Sequence, residues 1–244
     1  MSRHARIVIP GLPHHITQRG NYRQPIFKEP VDFWKYCYWI NKYALRHALD
    51  ILAYCLMSNH VHFIVIPRQA NSLAMTFQIA HMRYAQHINR KKQLKGHLWE
   101  GRFFSCILQD EAYLYRAVRY VEQNPVRAGI AKEAWNYRWS SARWRLGLER
   151  EPAIHLKKTA ILSHPDWKKY LQEKDLSAYK EIKIKTQKGL VAGDQEFIDS
   201  LEKKFGVSLQ GLRLGRPPKK TSPNEFSTGK MGSVPNLLTA GELV

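Results

Sequence analysis

The residues best suited to chemistry stand together at position 60, where His60-Val61-His62 opens the apolar run VHFIVIP. Side chains two apart on a strand leave the same face, so both imidazoles would project toward one point. Two neutral imidazoles on one side make half of a divalent-metal site. Taken alone, a pair of this kind is better explained by capping or hydrogen bonding within a hairpin. Tyr120 and Asn124 form a second pair, four residues apart and therefore on one face of a helix that Pro125 should stop. A residue before proline is pushed out of the helical region, which predicts that the Asn124 carboxamide reaches outward. A phenol can serve as a nucleophile, and a carboxamide oxygen suits a hard cation. A core aromatic and a helix cap would fit the same spacing.

A third group is electrostatic. Residues 81–102 carry Arg83, Arg90, Lys91, Lys92, Lys95 and Arg102 against a single carboxylate, Glu100, with Trp99 among them and Phe103 next in the chain. Cations that follow phosphates, with aromatics that stack on unpaired bases, describe a groove for nucleic acid. Arg19 and Arg23 form a second candidate contact. Arg143 and Arg145, beside Trp139 and Trp144, fit a DNA contact and a core border equally. His14 and His15 read as structural or DNA-contacting rather than as metal ligands.

The elements that must carry these residues follow from periodicity. Ile7 to Gly20 reads as a strand broken at Pro10–Pro13. Pro30 opens a helix with Phe33, Tyr36, Ile40, Tyr43 and Leu45 near helical spacing. Ile51 to Met57 and Val61 to Ile66 read as adjacent strands joined at Ser58-Asn59. Leu73, Phe77, Tyr84 and Ile88 mark a second helix, Phe103 to Leu108 a further strand, and Glu111 to Gln123 a further helix. The order β-α-β-β-α-β-α predicts an α+β fold of the ferredoxin-like or RRM-like kind, an antiparallel sheet with helices on one face.

Composition narrows the class. The 244 residues include 39 Lys+Arg against 20 Asp+Glu, a net charge of +19, with seven Trp, twelve Tyr and nine Phe to fill a core. That excludes a disordered chain, a collagen-like repeat and a disulfide-stapled miniprotein. No uninterrupted run of 18 apolar residues exists to span a membrane. Cys37, Cys55 and Cys106 form no CxxC pair and sit among apolar residues, so a reduced, cytoplasmic protein is expected. The charge predicts a polyanionic partner, nucleic acid before membrane. Three regions are expected: a catalytic or binding domain over 1–150, a helical extension over 151–206, and a basic tail over 207–244 read as disordered.

MSNHVHFIVIP, GHLWEGRFFS, RYVEQNPVRAG and WNYRWSSAR, with the opening PHHITQRGNYRQPIF, resemble the HUH-type single-tyrosine transposases of insertion sequences, in the REP-associated branch. The resemblance covers nearly all of residues 7–150, in order. It implies that His60 and His62 bind a divalent metal, Mg²⁺ or Mn²⁺, with Asn124 as third ligand and the adjacent Gln123 as the alternative. It implies that Tyr120 attacks a phosphate of single-stranded DNA bearing hairpins or palindromes, keeps the 5′ phosphate as phosphotyrosine and releases a 3′-OH for later rejoining. Relatives of this kind act as monomers or homodimers, at the nucleoid. Two other classes share parts of the pattern: a non-catalytic nucleic-acid-binding regulator on an RRM-like scaffold, and a metal-dependent phosphodiesterase that uses water.

Overall fold

A computed structural model of the chain describes residues 7–159, 166–206 and 208–209. All of these fall within one compact unit, Met1–Leu212; of the tail expected over 207–244 only residues 208–209 are described, and the basic stretch Leu214–Lys220 lies outside the described residues.

Five strands form one sheet in the order β2-β3-β1-β4-β5. They are β1 (His14–Arg19), β2 (Leu49–Met57), β3 (His60–Pro67), β4 (Phe104–Leu108) and β5 (Val191–Ala192). The first four pair antiparallel, as the sequence pattern leads one to expect. The two-residue β5 adds a parallel edge beside β4, so the sheet is mixed.

Side chains alternate across the sheet, and each face has its own cover. Ile16, Leu56, Val61, Phe63 and Val65 face α1 (Pro30–Arg46) and α2 (Ser72–Lys92), whose Tyr36, Ile40, Phe77 and Tyr84 complete that core. Burying side chains of this size stabilises by about 1.5–3 kcal/mol each. Ala53, Cys55, Ile64, Cys106 and Leu108 face the other way. There they meet α3 (Glu111–Glu122), α6 (Trp167–Gln172) and α7 (Leu176–Lys188), through Leu114, Val118, Val121, Leu171 and Ile182. The one-face arrangement therefore holds for α1 and α2, while α3, α6 and α7 cover the second face. α4 (Asn124–Arg127) and α5 (Ala142–Arg145) are single turns, and α8 (Gln195–Phe205) closes the order.

Two details of α3 decide where its residues point. Asp110 caps its start by accepting from the Tyr113 amide at 2.9 Å. At its other end Pro125 does not release the chain into an extended segment. Proline is tolerated at a first helical turn, and the chain bends at Gln123 into α4. Glu122, fully buried, holds this bend in place. It accepts from Ser141 Oγ at 2.6 Å, Arg145 Nε at 3.0 Å and Trp167 Nε1 at 2.9 Å.

Candidate active site

Register brings the candidate residues together. Along the β1–β3 pair, Arg19 lies opposite His60 and Thr17 opposite His62, with His15 two residues further along the same face of β1. α3 and α7 cover this face, and the space left between them is a cavity of about 470 Å³. His60, His62, Tyr120, Asn124 and Arg19 all line it, as do His15, Arg127, Tyr179, Lys180, Lys183 and Thr186.

The imidazoles are held in a fixed relation. His60 and His62 meet edge-to-face with centroids 5.0 Å apart, and the Tyr120 ring stands edge-on to His62 at 5.7 Å. His60 Nδ1 lies 2.6 Å from Asn59 Oδ1, and His62 Nδ1 lies 2.9 Å from His15 Nε2. His15 Nδ1 in turn reaches Thr186 Oγ1 at 2.7 Å. With each Nδ1 engaged, both Nε2 atoms remain as ligating positions. Burial, reinforced by the cationic Arg19 and Arg127, holds the His60 pKa down at about 4 and that of His62 well below its ordinary value. His15 is lowered to about 3, by burial first and Arg127 second. All three rings are therefore neutral at pH 7, the form that ligates metal.

Asn124 departs in part from the sequence expectation. Its Nδ2 donates to the Tyr120 and Val121 carbonyls at 3.2 and 3.1 Å, so half of the carboxamide caps α3 and only Oδ1 is left over. Gln123 is turned away from the cavity. Its Nε2 donates to the Leu171 and Glu173 carbonyls, and its Oε1 accepts from the Tyr179 hydroxyl. Among the described residues no group of three or more His, Cys, Asp or Glu side chains converges on a point. The donors left at the cavity are two imidazoles and one carboxamide oxygen, a set that would leave a cation's charge nearly uncancelled and would suit a phosphate-binding ion.

Tyr120 is 7% exposed, yet its ring borders the cavity. Burial raises the phenol's pKa and Arg127 opposes the rise. The Arg127 guanidinium stacks over the Tyr120 ring at 4.2 Å and over the Tyr179 ring at 4.8 Å. Sequence reasoning missed Arg127, His15 as a partner of His62, and the α7 cations Lys180 and Lys183. The "NPVRAG" run places Arg127 one turn past Asn124, the one signal that could have flagged it.

The remaining candidates lie elsewhere. Of the cations assigned to DNA, Arg19 alone reaches the cavity. Arg83, Arg90 and Lys95 are exposed on or just after α2, which covers the other face of the sheet, Arg102 is exposed just before β4, and Arg23 is exposed in the turn after β1. Lys92 is half-buried in the last turn of α2. Lys91 is engaged by Asp32 at 2.8 Å and Glu29 at 3.2 Å. Trp99 does not present its ring for stacking. It is 9% exposed, donates from Nε1 to the His81 carbonyl at 3.0 Å and packs near Tyr36 and Tyr84, because the bridge between Gly20 and Trp99 draws its segment onto the sheet. Phe103 is likewise buried. Arg145 belongs to the Glu122 cluster, and Arg143 donates to the Trp135 carbonyl at 3.1 Å.

The chain is similar in sequence and fold to known proteins. Residues 9–124 match the family model of IS200-like transposases, so the resemblance carried by the motifs is borne out. A Haemophilus influenzae protein described as a REP-associated tyrosine transposase is 20% identical over 106 residues, 39% of this chain and 60% of its own length. The chain thus spans about 60% of the curated relative it matches. A solved REP-associated tyrosine transposase bound to a REP hairpin covers 72% of this chain and 100% of its own, with TM-score 0.50 and 18% identity, a likeness of fold.

Proposed function

We propose that this protein is a REP-associated tyrosine transposase that cleaves and rejoins single-stranded DNA beside hairpins. The observation that carries the reading is the meeting of His60 and His62 of β3, Tyr120 of α3 and Asn124 at the start of α4 around one cavity of a single chain. His60 Nε2, His62 Nε2 and Asn124 Oδ1 would hold Mg²⁺ or Mn²⁺, which supplies Lewis acidity to a phosphoryl group. The chain's own residues do the rest. Arg19, Lys180 and Lys183 bring positive charge to the cavity wall and bind the DNA backbone. Arg127 orients the phenol and favours its anion. Tyr120 Oη attacks phosphorus and loses its proton, the bond from phosphorus to the 3′ oxygen breaks, and that oxygen gains a proton. The phosphotyrosine ester retains the bond energy, so a second 3′-OH can reverse the step.

That Tyr120 and the imidazoles share one cavity within one chain supports a nucleophile acting in cis, in a monomer or a homodimer. The partner is hairpin-bearing DNA, and the exposed cations of α2 together with Arg23 extend the contact beyond the cavity. With DNA as the substrate, the place of action is the cytoplasm, at the nucleoid.

Incubating labelled hairpin DNA with the protein and Mg²⁺ tests the reading. A covalent protein–DNA adduct is expected, absent in Tyr120→Phe although that variant still binds the hairpin. Cleavage that survives Tyr120→Phe would make water the nucleophile. Metal-independent binding with neither adduct nor cleavage would leave a non-catalytic regulator.

A further inference from the structure

The turn that follows β1 carries an aromatic side chain that the chemistry above does not use. Tyr22 is 93% exposed, the most exposed large hydrophobic side chain among the described residues. Tyr22 and Arg23 are consecutive residues in the left-handed region, at φ +50° and +58°. Residues with a Cβ seldom adopt that conformation, and it persists only where the surroundings impose it.

Here they do. The Gly20 amide donates to the Asn59 carbonyl and the Asn21 amide to the Leu98 carbonyl, each at 2.8 Å. Gln24 Nε2 donates to the Leu98 carbonyl at 3.3 Å, and Asn59 Nδ2 to the Arg23 carbonyl at 3.2 Å. A Cβ at Gly20 would stand 2.4 Å from the Gln24 carbonyl oxygen, so the turn closes on a position that admits only glycine. The result is a rigid pedestal with a ring held out into solvent. It is also joined to the site. The same Asn59 that holds the Arg23 carbonyl accepts from His60 Nδ1, and Arg19, at the base of the turn, lines the cavity.

We infer that Tyr22 is a stacking platform for one unpaired nucleobase of the strand that runs into the cavity, with Arg23 placed for the adjoining phosphate. The inference rests on the transposase reading and adds a base-binding position to it. A base offers a flat face to an exposed phenol ring whatever its identity, and the flanking Arg19 and Arg23 select a polyanion over an apolar partner. An unpaired base is specified because a duplex hides its faces except at its ends. Asn59 makes the position of that base and the orientation of His60 parts of one hydrogen-bonded unit.

The test uses hairpin DNAs with a single-stranded tail, carrying 2-aminopurine at each tail position in turn, and the full-length protein with Tyr120→Phe to prevent cleavage. At one tail position the fluorescence should be quenched on binding, should stay quenched with Tyr22→Phe added, and should recover with Tyr22→Ala added. Tyr22→Ala should also weaken binding of the tailed hairpin roughly ten-fold while leaving a tailless hairpin unaffected. Quenching that persists in Tyr22→Ala, or equal affinity for the tailed hairpin, overturns the inference. A protein with Tyr120 intact that forms the covalent adduct while Tyr22→Ala changes neither measurement refutes the platform alone. If the protein neither binds tailed hairpins nor forms the adduct, the transposase reading fails and the platform with it.

Discussion

Between His62 and Thr186 stands His15, and its part in the site follows from valence. A neutral imidazole that ligates through Nε2 carries its proton on Nδ1, so His62 donates to His15 Nε2 and His15 donates to Thr186 Oγ1. His15→Ala should therefore weaken Mn²⁺ binding by about 10- to 100-fold, read by metal titration of the folded protein. Unchanged affinity would show that His62 is oriented without it. Arg127 acts on the nucleophile, since its guanidinium covers the Tyr120 ring at 4.2 Å. Arg127→Ala should slow single-turnover adduct formation about 100-fold, with a much smaller loss of hairpin affinity. A loss confined to binding would make Arg127 a DNA contact only. That His60, His62, Tyr120 and Asn124 share one cavity was legible in the sequence because the spacings HxH and Tyr-x₃-Asn set relative direction by period. His15 and Arg127 were not, since their roles depend on which residue of β1 faces His62 and on the bend at Gln123. Neither is written in local spacing.

At the level of elements, α3 must be held against the sheet at a fixed height for Tyr120 to face His62, and buried charge does part of that work. Glu122 and Arg145 pair at 3.0 Å, with side chains 0% and 8% exposed, and Arg119 ties α3 to Glu173 at 2.8 Å and to Asp175 at 3.0 Å. Removing one partner of a buried pair strands the other's charge. Glu122→Ala should cost about 3 kcal/mol or more in urea unfolding, since Arg145 would remain buried without its anion. A cost below about 1 kcal/mol would mean that the guanidinium finds water. α1, α2, α3 and the four antiparallel strands were legible from their apolar periodicity, whereas the single turns α4 and α5 are too short to carry one. β5 was not, as two residues carry no period. The contribution of α7 was hidden too: its buried face is only Ala178, Tyr179, Ile182 and Thr186, so it reads as a Lys-rich surface helix although it walls the cavity.

For the molecule as a whole, a net charge of +19 makes association with DNA depend on salt. The logarithm of hairpin affinity should fall linearly with the logarithm of salt concentration. Replacing both Arg83 and Arg90 with Ala should make that slope shallower by about one for each phosphate that is no longer neutralised. Lys91→Ala should leave it unchanged, because Asp32 and Glu29 already engage that ammonium. Equal slopes for all three proteins would move the hairpin off α2. The claim on which the rest depends is narrower, that the phenol of Tyr120 and the paired imidazoles serve one phosphate. The direct measurement is mass spectrometry of the proteolysed adduct formed with hairpin DNA and Mg²⁺. The account predicts a nucleotide 5′-phosphate on the peptide containing Tyr120, and none when His62 is replaced with Ala. A nucleotide on any other residue, or an undiminished yield at Tyr120 in the His62→Ala variant, would contradict it.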